Sequence, residues 1–277
     1  MSLPSRLLPF IATIVLCLPL GCALAQNYDD PNGPRYAGSY STAPSLAADD
    51  FTLATFNIEF GVEVDRAATE IRANAALANA AVLLLQEMDP VGTDRIAREL
   101  GYDYVYYPGS IHHGKDFGNA VLSRWPIADD RKLILPYRNP TNGRIRIAVR
   151  ATLDTPSGPL VVYSVHTDTA WLGPSARLGQ AQAIMDDARG FAPPLAVGGD
   201  FNTLEDGVGE ETVRRFEGDG YRWATSAVPP SAQSLIGPHR LDYVFVKGLV
   251  EQSSETEATD ASDHQPVWVE LERTASQ

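Results

Sequence analysis

Cysteine is nearly missing from this chain. The 277 residues include two, Cys17 and Cys22, and both fall within the first 25 positions. If that stretch is removed, nothing is left for disulfides, thiol catalysis or a Cys-type zinc centre. A domain of this length can bury enough core without cross-links. Basic residues are also scarce, with 22 Lys and Arg against 35 Asp and Glu, a formal charge of −13. That balance is unfavourable for a broadly cationic, polyanion-coating surface, but it leaves room for a local cationic groove.

The chain has one leader-like apolar run, residues 7–20, following Arg6. It is too short to span a bilayer once its flanks are considered. Ala23-Leu24-Ala25 fits the small-x-small cleavage rule and puts the cut before Gln26. Residues 1–25 are therefore expected to be a signal peptide, and the protein secreted or periplasmic, with no stable membrane insertion after cleavage. An uncleaved anchor, or a lipoprotein attached at Cys22, are the alternatives. Cleavage removes one Arg and no acid, moving the charge from −13 to −14. Residues 26–49 are rich in Gly, Pro, Ser, Ala and Asp and lack apolar periodicity, so they read as a flexible linker. Residues 50–273 suit one domain, expected to be a monomer, and 274–277 a tail.

Strands are expected at residues 51–58, 81–85, 102–107, 118–123, 132–135, 145–153, 160–165, 195–198, 241–246 and 267–271. Helices are expected at 65–80, 91–100 and 174–188, the second closed by Gly101. Residues 109–116 read as a polar loop, and 154–158 as a turn. Early alternation of strand and helix, then hairpins, gives an α/β class with mixed sheets.

Polar residues stand at the ends of the apolar runs. They are Asn57 and Glu59 in Thr55-Phe56-Asn57-Ile58-Glu59, Glu87 after Gln86, Asp200 and Asn202 in Gly199-Asp200-Phe201-Asn202, Asp242 after Arg240-Leu241, and Ser262-Asp263-His264. Carboxylates, amides and a histidine at strand ends can supply hard metal ligands, a general base and neutral donors to a phosphate. His264 can exchange a proton near neutral pH. Arg144 and Arg146 are candidate phosphate clamps; Lys115, Arg124 and Arg138 are further cations for a groove. His112 and His113 are adjacent, so their rings are expected to point apart. Asp168 is either a ligand or a turn residue.

This set, in this order, resembles the endonuclease/exonuclease/phosphatase superfamily over residues 51–271. The group includes exonuclease III-type enzymes, pancreatic-type DNases, neutral sphingomyelinases and inositol polyphosphate 5-phosphatases. The resemblance implies a four-layer α/β sandwich, two mixed sheets face to face with helices outside. It implies Mg²⁺, or Mn²⁺ or Ca²⁺, held mainly by Glu87, with Asn57, Asp263 and Glu59 nearby. It implies that Asp242 orients His264, Asp200 positions water or metal, and Asn202 holds a phosphate oxygen. His166 matches the second histidine of DNase-like and sphingomyelinase-like members. Asn119 matches a motif that either lines the site to bind substrate or makes a core hydrogen bond, and Arg177, with Gln180 in a helical Arg-x-x-Gln, is a substrate-binding candidate or a structural residue. The expected activity is metal-assisted hydrolysis of a phosphate ester, most simply a phosphodiester in nucleic acid. A phospholipid or inositol-phosphate hydrolase, and a non-catalytic domain on the same fold, are the alternatives.

Overall fold

The structure, a computed structural model, describes residues 25–42, 49–192, 194–205, 207–234 and 237–274. The leader up to residue 24, with both cysteines, and the tail from residue 275 lie outside the described residues. In chain order the strands are β1 (Tyr36–Gly38), β2 (Asp50–Asn57), β3 (Val82–Met88), β4 (Asp103–His112), β5 (Lys115–Ser123), β6 (Ile127–Ile134), β7 (Ile147–Thr155), β8 (Gly158–His166), β9 (Leu195–Asp200), β10 (Arg222–Trp223), β11 (Ala232–Ser234), β12 (Gly237–His239), β13 (Asp242–Lys247), β14 (Leu249–Thr256) and β15 (Val267–Arg273). The helices are α1 (Val64–Ala73), α2 (Ala75–Ala78), α3 (Pro90–Leu100), α4 (Pro174–Ala188) and α5 (Val208–Gly218).

One sheet has the order β1-β4-β5-β3-β2-β15-β14 and the second β10-β13-β9-β8-β7-β6. Strand periodicity builds three interfaces from them. In β3, Val82 and Leu84 point to the inter-sheet core while Leu83 and Leu85 point to the helices. In β9, Ala196 joins the inter-sheet core and Leu195 and Val197 face the other helical layer. The first outer interface buries Val64, Ala68 and Ile71 of α1 and Ile96 of α3. The second buries Ile184 and Met185 of α4 and Phe216 of α5. These are the four layers of an α/β sandwich.

Each sheet contains a parallel pair, β2 with β3 and β8 with β9. Asn57 is opposite Gln86, and His166 is opposite Asp200, at the ends of those pairs. Asp242 opens β13 opposite Asp200. The topology thus delivers Asn57, Glu87, His166, Asp200 and Asp242 to one edge of the sandwich.

Four expectations need correction. The helix expected over 65–80 breaks at Asn74, whose extended backbone and side-chain carbonyl cap α2 by accepting from Leu77 N. The loop expected over 109–116 is a hairpin, with β4 and β5 paired out to His112 and Lys115. The linker expected over 26–49 is docked wherever it is described. Its Tyr36–Gly38 stretch covers the edge of β4, and buried Lys132 donates to Tyr28 O at 2.9 Å and Gly33 O at 2.6 Å. Tyr28 Oη reaches Asp116 at 2.6 Å and Tyr40 Oη reaches Asp94 at 2.6 Å. Composition hid this because the anchors are backbone carbonyls and tyrosine hydroxyls rather than an apolar stripe. Glu59 and Asn57 lie two apart and are expected on one strand face, but they do not share one, because β2 ends at Asn57 and Glu59 begins a short 3₁₀ turn.

Candidate active site

Local backbone sets the site before any side chain does. The ladder between β3 and β5 slips between Leu85 and Met88, and Glu87 sits there with φ 59°. Left-handed backbone is uncommon for a glutamate and turns its carboxylate out of the strand. Gln86 fixes the strand beside it, donating to Ser164 Oγ across the sandwich at 3.0 Å. Asn202 is also left-handed, with φ 47°, and its N–H donates to Asp200 Oδ1 at 2.8 Å. Gly199 precedes Asp200 at φ 147°, where a Cβ would lie 2.0 Å from Val165 O. Only glycine fits the approach that brings Asp200 beside His166.

Asp200 is the hub. Its Oδ2 accepts from Asn57 Nδ2 at 3.0 Å and Asn202 Nδ2 at 3.2 Å. The same oxygen lies 3.5 Å from His166 Nε2 and 3.9 Å from His264 Nε2. His264 Nδ1 is 2.8 Å from Asp242 Oδ2, which also accepts from Ser231 Oγ at 2.6 Å. His166 Nε2 is 3.7 Å from Glu87 Oε1, and Phe60 N–H donates to Glu87 Oε2 at 3.1 Å. Arg146 Nη1 is 3.1 and 3.0 Å from the two ring nitrogens of His166. These groups surround a cavity of about 200 Å³ lined by Glu59, Phe60, Glu87, Arg146, His166, Asp200, Asn202, Asp263 and His264 among others. Larger depressions, about 560 Å³ beside Val62 and Val91 and about 570 Å³ beside Trp223, contain none of the Asp200, His166 and His264 cluster.

The charges are strongly perturbed. Burial pushes the Asp200 carboxyl up, and neighbouring carboxylates add to that. Burial also raises Glu87, opposed by Arg146. For His264, burial is overcome by the charges of Asp242 and Asp200, and the imidazolium is favoured. His166 goes the other way, because burial and Arg146 hold it neutral. The two histidines that face Asp200 Oδ2 are thus pushed in opposite directions, the separation that acid–base chemistry uses.

The donor set fits a hard divalent cation. Asn57 Oδ1 is buried with no hydrogen-bond partner, while its amide nitrogen bonds Asp200, and Asp200 and Glu87 both line the cavity. Asp200, Asp242 and His264 also bring donor atoms within 4.8 Å of one another. Asp242 and His264 are already bonded to each other there, so Glu87 and Asn57 are the better-placed pair.

A family model described as Endonuclease/Exonuclease/phosphatase matches residues 54–264. The chain belongs to this family. Curated relatives include a UPF0294 protein of Vibrio cholerae, 30% identical over 110 residues, covering 40% of this chain and 39% of the relative. The chain thus spans about two fifths of the length of that relative. Among solved structures, an endonuclease/exonuclease/phosphatase from Beutenbergia cavernae is similar with TM-score 0.67 at 23% identity, over 82% of this chain and 72% of the other. D. rerio TDP2 complexed with a single-strand DNA product gives 0.58 at 17%, over 80% and 98%. The mannosyl-6-phosphatase Bt3783 of Bacteroides thetaiotaomicron gives 0.60 at 19%, over 80% and 99%. The endonuclease/exonuclease/phosphatase fold is common to all three.

Within this family fold, the expected residues separate into two groups. His264, Asp242, Asp200, Asn202, His166, Glu87 and Asn57 converge, with Asp263 and Glu59 exposed at the cavity wall. Asn119 does not line the cavity; it is buried and its amide ties Ile147 O to Ser164 O, at 3.1 and 3.2 Å. Arg177 is buried in α4 and pairs with Glu205. Arg144 stands beside the cavity, its guanidinium 5.5 Å from the Phe117 ring. Asn202 lines the cavity, and its amide nitrogen donates to Thr167 O at 3.1 Å and to Asp200 Oδ2 at 3.2 Å. Asp168 is neither a cavity ligand nor a bare turn: it accepts from Asn139 at 2.8 Å and lies 3.7 Å from Arg146 Nε. His112 and His113 do not point apart, since their rings stack at 4.1 Å. Ser231, which holds Asp242, carried no signal, being one serine in a Pro-Pro-Ser turn.

Proposed function

We propose that this chain is an exported phosphodiesterase, dependent on Mg²⁺ or on Mn²⁺ or Ca²⁺ in its place, that hydrolyses nucleic acid. The carrying observation is the line from Asp242 through His264 to Asp200, meeting Glu87 and neutral His166 in one small cavity. Asp242 accepts the Nδ1–H hydrogen bond of His264 and so directs Nε2 to the cavity. In the deprotonated state Nε2 accepts a proton from the attacking water, which Asp200 aligns. The water oxygen bonds to phosphorus as the ester P–O bond breaks, and the leaving oxygen departs on the opposite side. His166 and Arg146 face the non-bridging oxygens and stabilise charge there. A divalent ion at Glu87 and Asn57, when bound, polarises a phosphoryl oxygen and neutralises leaving-group charge.

Nucleic acid is favoured by the wall beside the cavity, where Arg144 and Arg146 lie over Phe117. The TDP2 structure with DNA product supports this choice; the mannosyl-6-phosphatase is the counterexample of a phosphomonoester on the same fold. A phospholipid hydrolase is the second reading, favoured by Trp171, 74% exposed two residues past cavity-lining Thr169. A non-catalytic domain has no support, since none of the cavity's acid–base groups is lost. The test is hydrolysis of plasmid DNA, RNA, sphingomyelin and phosphorylated inositols with Mg²⁺ and with EDTA. Cutting of sphingomyelin or an inositol phosphate without nicking of nucleic acid would overturn the substrate assignment. Export is tested separately: the exported chain should begin at Gln26, and lipid on Cys22 would make it an anchored protein.

A further inference from the structure

The cavity wall continues outward as rings. His166 packs on Phe117 with centroids 5.8 Å apart, and Phe117 on Phe60 at 5.9 Å. Phe60 meets the rings of His112 at 4.7 Å and His113 at 5.3 Å, both edge to face. Those two imidazoles are stacked, 17° from parallel. Phe60 lines the catalytic cavity, while His113 is exposed at the tip of the β4–β5 hairpin. The turn itself does not ask for this residue. His113 and Gly114 are both left-handed, at φ 48° and 76°, a geometry that favours Asn-Gly or Asp-Gly. A bulky ring stands where a small polar residue suits the backbone better, and its outer face reaches solvent.

We infer that the exposed face of His113, stacked on His112 and braced edge to face by Phe60, is a stacking shelf for a nucleobase next to the scissile phosphate. The inference rests on the phosphodiesterase reading and names the part of the substrate beside the phosphate. A base offers a flat π-face to the shelf, and sequence-tolerant stacking of this kind is common in single-strand recognition. The neighbouring charges point the same way. Arg144 and Arg146 repel a quaternary ammonium headgroup and attract the adjoining phosphate. Burial, with Arg144 and His113 beside it, lowers His112 to about 4, so its ring is neutral at ordinary pH.

Binding without turnover tests the shelf. Adenosine monophosphate, ribose 5-phosphate and inorganic phosphate are titrated calorimetrically into the full chain with Mg²⁺. Stacking predicts that the nucleotide binds roughly 5- to 150-fold more tightly than ribose 5-phosphate. His113→Asn keeps a residue that tolerates the left-handed turn and removes the ring. It should bring that ratio close to one and leave ribose 5-phosphate affinity unchanged. His112→Phe, which keeps a ring, should retain the preference. A nucleotide that binds no better than ribose 5-phosphate, or a preference that survives His113→Asn, overturns the shelf. Because affinity is read apart from cleavage, a nucleotide preference in a protein that cuts only phospholipid would sustain the shelf and overturn the nuclease assignment.

Discussion

Replacing Asp242 by Asn changes one atom and removes one charge at the centre of the acid–base line. The carboxylate is buried, and a single oxygen, Oδ2, holds both His264 Nδ1 at 2.8 Å and Ser231 Oγ at 2.6 Å. An amide oxygen can keep one or both bonds, so the fold should survive. The loss is about 1–3 kcal/mol for a weakened buried network, against about 5–15 kcal/mol for a domain. Catalysis should suffer more. Positioned acid–base groups contribute about 10²–10⁴-fold, or about 2.7–5.4 kcal/mol at 1.36 per decade. His264→Ala and Asp242→Asn should each reduce kcat by an amount within that range. The double variant should be no worse than about tenfold below the poorer single one, because the pair acts as a unit.

The pH profile gives a second, independent reading of the same variant. Asp242 and Asp200 raise His264 above the ordinary imidazole value. A raised value keeps the base protonated to higher pH, so the acid limb of kcat/KM should lie above about 6.5. Removing the Asp242 charge lowers that value, and the limb should move to lower pH even as the maximum falls. A limb that stays in place, together with fully multiplicative losses in the double variant, would show that Asp242 does not govern His264.

Glu87→Gln should cut activity by orders of magnitude and weaken the response to Mg²⁺ while leaving the unfolding midpoint at or above wild type, since a buried, destabilised carboxylate is lost; full turnover in EDTA would refute the metal assignment. Asp168→Ala should remove one of the two carboxylates facing buried Arg146, Glu87 being the other, at a cost of about 1–3 kcal/mol in chemical denaturation, and raise KM for the phosphate; an unchanged midpoint would refute the pairing. Lys132, fully buried, has its ammonium pulled down to about 8 by burial. Above that value the unfolded chain still holds the proton and the folded chain does not, so stability should rise between pH of about 8 and about 10.5; Lys132→Met should abolish that rise, measured as the difference in denaturation midpoints. If nucleic acid is cut, activity should fall steeply with salt, and Arg144→Ala should weaken binding and flatten the slope; an unchanged slope would remove Arg144 from the groove.

Much of the fold was legible because apolar runs in a parallel pair need no alternation to be recognised. Val82-Leu83-Leu84-Leu85 can only be a strand buried on both faces, and it is. Helix α4 runs from Pro174 to Ala188, matching its expected span, with Pro at its first turn. What stayed hidden was structure held by polar atoms. Strand β14 is half exposed and written in Glu, Gln, Ser and Thr, so pairing with β15 defines it rather than any apolar pattern. The docked segment after residue 24 is likewise held by carbonyls, tyrosines and one buried lysine.

The site divides in the same way. Residues at the ends of apolar runs were readable as polar groups opening or closing strands, and the family resemblance brought Asn57, Asp200, His166 and Asp242 together in advance. Residues whose direction depends on an irregular backbone were not. His112 and His113 should diverge on an ideal strand, but the hairpin turns between them: His112 ends β4, while His113 adopts φ 48° and folds its ring back onto its neighbour. Glu87 shows the complementary case, a ligand position legible from its neighbours whose carboxylate reaches the cavity through a left-handed bulge. Both departures from regular geometry occur beside the cavity and belong to residues with a chemical use there. Backbone that local preference disfavours persists only where surrounding structure enforces it. At Glu87 the enforcement is visible in the Phe60 N–H bond to its carboxylate, and Phe60 is the ring on which the histidine pair packs. The metal-side carboxylate and the stacking shelf therefore meet at one residue, the first through its backbone N–H and the second through its ring; Phe60→Ala keeps the N–H and removes the ring, so it should lower the nucleotide preference and leave the Mg²⁺ midpoint at its wild-type value, as His113→Asn should, and a shifted Mg²⁺ midpoint in Phe60→Ala would show that the ring itself holds Glu87 in place.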